Sequence, residues 1–86
     1  MKQKEALKVL IADDDGQMAL RLASDLTDRG FEVQVAANGR LAKSKLIEWK
    51  PKFLLADLML QEANGLELIQ FIENDPAFRH HPIQTI

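Results

Sequence analysis

Two stretches of this chain are apolar without alternation. Leu7 to Ala12 and Lys52 to Ala56 each place Val, Ile, Leu, Phe or Ala on consecutive positions. Such runs are too short for helices and fit strands buried on both faces of a parallel sheet. Between them the pattern changes period. Ala19, Leu22, Ala23 and Leu26 fall at i, i+3, i+4 and i+7, which predicts a helix from Gln17 to Arg29 with one core-facing stripe, stopped by Gly30. Phe31, Val33 and Val35 alternate with Glu32 and Gln34, which predicts a second strand over 31–36 with one wet face, at a sheet edge. A second helix is predicted from Arg40 to Glu48. Asn38-Gly39 starts it, Ala42, Leu46 and Trp49 share a face, and Pro51 forbids continuation.

A third helix is predicted from Gly65 to Glu73, capped by Asn64, with Leu68, Ile69 and Ile72 on one side. Asn74-Asp75-Pro76 breaks it, Phe78 to His81 reads as a connector, and Pro82 to Ile86 opens a fourth strand. Strands alternating with helices imply an α/β fold: a parallel sheet with right-handed crossovers and helices on both faces.

Both buried strands end on acid. Asp13-Asp14-Asp15 follows the first and Asp57 follows the third. In open parallel sheets, chemistry gathers at the carboxyl ends of the strands. A single Asp there is commonly just a cap for the helix that follows. That does not account for three consecutive acids plus a fourth at the end of another buried strand. Clustered carboxylates repel one another, and a hard cation relieves the repulsion. Mg²⁺ suits such a set because it takes carboxylate, carbonyl and water oxygens and only one or two protein carboxylates. Zn²⁺ would want Cys or His. The chain has no Cys, and His80 and His81 lack ligand spacing and read as a solvated connector. An Asp is also a nucleophile toward phosphorus, forming an acyl phosphate.

Composition narrows the choices further. Eighty-six residues suit one small domain, which buries roughly 60–65% of its unfolded surface. A net charge of −2 offers no basic footprint for nucleic acid. No apolar stretch reaches the length of a membrane span, and Met1 to Leu7 is too short for a signal peptide. A cytoplasmic protein is the expectation, and the absence of cysteine is compatible with a reducing compartment. A dinucleotide-binding domain would need G-x-G-x-x-G after the first strand, where only Gly16 is present. An Asp-dependent phosphatase would need a second acid two residues past its nucleophile and a longer chain to enclose substrate.

Val9-Leu10-Ile11-Ala12-Asp13-Asp14-Asp15, Leu55-Ala56-Asp57-Leu58-Met59-Leu60, Asn64-Gly65-Leu66-Glu67-Leu68 and the run from Asp75-Pro76 to Pro82-Ile83 together resemble the receiver domain of two-component response regulators. The resemblance covers the whole of 1–86 and implies the flavodoxin-like, three-layer α/β/α fold of that family. It implies that Asp57 is the phosphoacceptor, supplied by a histidine kinase or phosphotransfer protein. It further implies that Mg²⁺ is held by Asp14 directly, by Asp13 mainly through water, by Asp57 and by the backbone carbonyl of Met59. Asp15 is not a usual ligand and reads as a cap or a general negative charge. Gly65 matches the family's glycine before the third helix. Gln61 stands where the family usually has Pro, and Asn64 where it often has Asp.

The family has five βα units in the order 2-1-3-4-5, whereas this chain shows three and the start of a fourth strand. Its switch Ser or Thr would fall one position past Ile86, and its conserved Lys has no counterpart. Thr85 is one short of the switch position and would face the other way. Two expectations follow: a fragment of a longer product, or a homo-oligomer that covers the open fourth-strand edge, with the fragment favoured. A receiver-like interaction module that no longer switches is the alternative function.

Overall fold

The computed structural model describes residues 7–57, 65–79 and 82–85. The elements run β1 (Lys8–Ala12), α1 (Gly16–Asp28), β2 (Glu32–Ala36), α2 (Gly39–Glu48), β3 (Phe53–Ala56), α3 (Gly65–Asn74), a short 3₁₀ turn (Pro76–Phe78) and β4 (Gln84–Thr85). The strands form one parallel sheet in the order β2-β1-β3-β4. This is the doubly wound arrangement expected from the alternating pattern, with β1 and β3 inside the sheet.

Period-two alternation divides the core into two layers. Leu10, Ala12 and Leu54 point to one face and pack with Ala36, Ala42, Leu46 and Leu68, so α2 and α3 cover that side. Val9 and Ile11 point to the other and pack with Ala19, Leu22, Ala23 and Leu26 of α1. The expected stripes of α1 and α2 are therefore those that meet the sheet. On α3, Leu68 is buried with Phe71 and Ile72 packed beside it, and Ile69 is half-buried like those two. Phe78 is buried too, with its ring edge-on to Phe71 at 5.7 Å. The expected connector thus starts with a packed 3₁₀ turn. His80, His81 and Ile86 lie outside the described residues, as does the expected cap Asn64.

The edge position of β2 agrees with its alternating sequence, and its polar face is wet only in part: Glu32 is exposed, Gln34 is not. Gln34 is half-buried and accepts a hydrogen bond from Lys45 Nζ of α2 at 2.9 Å. A long lysine reaching across the helix–sheet interface satisfies this polar residue, which periodicity alone assigned to solvent.

The helix ends follow local chemistry. Asp15 caps α1, its Oδ1 accepting from the Met18 N–H at 3.2 Å, and Asn38 caps α2 in the same way through the Leu41 N–H at 2.9 Å. At the other end of α1, the Gly30 N–H donates to Thr27 O and the Phe31 N–H to Leu26 O. These paired bonds satisfy carbonyls left over at the helix end and need a left-handed residue at Gly30, where φ is 97°. A Cβ at Gly30 would meet nothing within 4 Å, so only backbone strain opposes a side chain. Gly30→Ala is expected to cost about 1–2 kcal/mol, read as a lower urea midpoint with an unchanged m-value.

Candidate phosphoacceptor and metal site

The acidic rim is assembled by register. Ala12 pairs with Ala56 across β1 and β3, so the next residues, Asp13 and Asp57, emerge side by side. Alternation then sets their direction: Val9, Ile11 and Asp13 share one face of the sheet, as do Phe53, Leu55 and Asp57. The ladder extends one residue past each strand, the Asp57 N–H donating to Ala12 O at 2.9 Å and the Asp13 N–H to Ala36 O at 3.0 Å. Both carboxylates therefore stand on backbone fixed by the sheet. Asp14 turns the chain toward α1.

Carboxylate oxygens of Asp13, Asp14 and Asp57 all lie within 4.8 Å of one another. Asp13 and Asp57 are half-buried and Asp14 is exposed. Asp13 Oδ1 accepts from the Asp15 N–H at 2.9 Å, which orients that carboxylate. Asp15 itself is turned to the helix start, so of the four acids it is the one outside the cluster. The cap at Asp15 agrees with its expected reading as a helix cap. Met59, the expected carbonyl ligand, lies outside the described residues.

The donor set fits a hard divalent cation. It is all oxygen, and its spread is close to the ~4.2 Å that separates opposite ligands around Mg²⁺. Three carboxylates leave positions for water, which Mg²⁺ retains more readily than Ca²⁺ does.

The chain matches the family model described as the response regulator receiver domain over residues 9–86. The chain belongs to that family. Receiver domains are signalling modules of two-component systems rather than classical enzymes. This receiver is 30% identical over 80 residues to the polar-differentiation response regulator DivK of Brucella anthropi, covering 92% of this chain and 65% of DivK. It is 32% identical over 68 residues to the DNA-binding response regulator MtrA of Mycobacterium tuberculosis, covering 79% of this chain but only 30% of MtrA. Among solved structures it resembles the chemotaxis response regulator CheY4 of Vibrio cholerae, with TM-score 0.83 and 26% identity over 94% of this chain and 68% of that one. A response regulator receiver domain from Bermanella marisrubri gives TM-score 0.81 and 27% identity, with 66% of that chain covered. The flavodoxin-like fold expected of this receiver is thus the one observed.

Among the described residues, no helix is long and apolar enough to cross a membrane.

Proposed function

We propose that in residues 1–86, read as the N-terminal part of a receiver, Asp57 accepts a phosphoryl group from the phosphohistidine of a kinase or phosphotransfer protein. The observation that carries this is the half-buried Asp57 carboxylate, held by β3 within 4.8 Å of Asp13 and Asp14. A carboxylate oxygen of Asp57 attacks phosphorus in line. The new O–P bond forms as the donor's P–N bond breaks, and the electron pair of that bond returns to the imidazole nitrogen. Mg²⁺ would be held by Asp14, Asp57 and the Met59 carbonyl, and by Asp13 mainly through water. When bound, it supplies positive charge for the oxygens of the transferring group. Asp13 and Asp14 bring that charge next to the acceptor, and the sheet backbone at Asp57 fixes the direction of attack.

The partner class is a histidine phosphodonor in the cytoplasm. MtrA's DNA-binding description belongs to a protein of which this chain matches less than a third, and the −2 charge of this chain supports no direct nucleic-acid contact. Gln84 and Thr85 of β4 are exposed at the end of the sheet, which supports edge pairing with a second copy as a further proposal.

Intact mass after incubation with Mg²⁺ and phosphoramidate tests the assignment. One added phosphoryl group is expected on the parent chain, with none on Asp57→Asn and none when EDTA replaces Mg²⁺. An unmodified parent chain that is folded by circular dichroism, or equal modification of Asp57→Asn, would overturn it.

A further inference from the structure

The sheet order leaves β2 at an edge, with no strand beyond it among the described residues. Its backbone is divided between two sides. The Glu32 N–H donates to Leu7 O at 2.9 Å, and Ala36 O accepts from the Asp13 N–H at 3.0 Å, so Glu32, Gln34 and Ala36 turn their backbone groups toward β1. Alternation then turns the N–H and C=O of Val33 and Val35 outward. Edge strands are commonly defended by lysine, proline or a bulge. β2 has none of these. Its sequence is Glu-Val-Gln-Val-Ala, and its 5 residues pair with β1 in unbroken register. The one charge on the strand, Glu32, stands at its start.

From this we infer that β2 is an interface with a second copy of this chain, the two β2 strands pairing antiparallel about a twofold axis that passes beside Gln34, perpendicular to the sheet. Self-complementarity selects that occupant. Centred on Gln34, the register overlaps the whole of both strands and sets Val33 of each copy opposite Val35 of the other. These are the residues with outward groups, and in an antiparallel ladder such a pair exchanges both N–H···O bonds. A slip of one residue would set Val33 against Gln34, whose backbone groups are engaged with β1. The side chains agree with this register. Val33 and Val35 lie on the α1 face, where the apolar pairs meet. On the α2 face the Gln34 amides stand opposite each other, and an amide carries both donors and acceptors. Glu32 falls opposite Ala36, so like charges are not opposed. Each Gln34 brings its Lys45, with Nζ at 2.9 Å from Oε1. Glu32 of one copy is diagonal to Gln34 of the other, at roughly 7–8 Å, so the lysines and glutamates balance on one face. Leu41, one turn before Lys45 on the same flank of α2, is 36% exposed and adds apolar surface there. The symmetry is closed, so association stops at a dimer, with the two acidic rims at opposite ends of the joined sheet.

This interface is distinct from the β4 edge and needs neither Asp57 nor Mg²⁺. The chain has no cysteine, so single cysteines report the register. In Gln34→Cys the two Cα atoms would stand about 4.5 Å apart, as a non-hydrogen-bonded pair, within reach of a disulfide. Glu32→Cys sets its two thiols four residues apart along the ladder, roughly 14 Å, and Thr85→Cys reports pairing at the β4 edge. Each variant, folded by circular dichroism, is oxidised with diamide at equal concentration, and the covalent dimer is followed by non-reducing electrophoresis. Gln34→Cys is expected to cross-link at least several-fold faster than the other two. Equal rates would overturn the assignment, as would faster cross-linking of Thr85→Cys, the latter in favour of β4. Amide hydrogen exchange of the unmodified chain, read by NMR, is the second measurement and needs no variant to fold. The Val33 and Val35 N–H groups point to solvent in one copy and are bonded in the pair, so their exchange is expected to slow as chain concentration rises. The Gln34 N–H, turned toward β1 in both states, serves as the internal reference. Exchange at Val33 and Val35 that is independent of concentration would overturn the proposal.

Discussion

Asp14→Asn is expected to leave a chain that is slightly more stable than the parent without metal and much less stabilised by Mg²⁺. Three carboxylates within 4.8 Å of one another repel in the metal-free state. Removing one charge relieves that repulsion, so the metal-free thermal midpoint should rise. The same change replaces a carboxylate proposed above to hold Mg²⁺ by a neutral amide oxygen, a weaker ligand for a hard cation. At Mg²⁺ a hundredfold above Kd, linkage stabilises the parent by about 2.7 kcal/mol. If affinity drops tenfold, the gain at that concentration shrinks to about 1.4 kcal/mol. Thermal unfolding by circular dichroism, with and without Mg²⁺, gives both signs in one experiment. A lower metal-free midpoint in Asp14→Asn would instead assign that carboxylate a structural role. An unchanged Mg²⁺ response would remove it from the cation site.

The second large effect belongs to the core. Leu54 is fully buried at the centre of β3, in the layer under α2 and α3. Leu54→Ala is expected to cost about 2–5 kcal/mol through lost burial and the cavity left behind. Stability near 0.05–0.15 kcal/mol per residue implies roughly 4–13 kcal/mol for a chain of this size. The substitution therefore removes a large share of the total and, at the low end, unfolds the protein at ambient temperature. Leu20→Ala is the control, because Leu20 is 67% exposed on α1 and should stay within about 0.5 kcal/mol of the parent. Urea denaturation of the two variants against the parent reads the difference. Similar losses in both would contradict the layer assignment.

Much of this was legible in the chain itself. The unbroken apolar runs ending in acid gave β1 and β3, and helical spacing gave the faces of α1 and α2. Their acidic ends pointed to Asp13, Asp14 and Asp57. Spacing along the chain could not show that Asp13 and Asp57 are neighbours; that depends on the Ala12–Ala56 register, a tertiary property. Three local features were also hidden. Phe71 packs with Leu68 and Ile72 against the core and meets Phe78, brought back by the 3₁₀ turn, edge-on. Gln34 is covered because Lys45 reaches it from another element. Lys50 takes a left-handed conformation, φ 52°, just before Pro51, which no propensity for lysine would suggest. Each is decided by a partner distant in sequence or by the geometry of a chain reversal, where local preferences are overridden.

The contact between Lys8 and Trp49 has a spectroscopic consequence. The Lys8 ammonium lies 5.4 Å from the indole centroid and donates to the Trp49 carbonyl at 3.2 Å, where α2 ends. The chain has one tryptophan and no tyrosine, so its intrinsic ultraviolet emission arises essentially from that ring. Lys8 begins β1 and the acids follow its end, which places the fluorophore roughly 17 Å along the strand from the carboxylates. The emission therefore reports whether β1 and α2 are docked together, and is insulated from charge changes at the opposite rim.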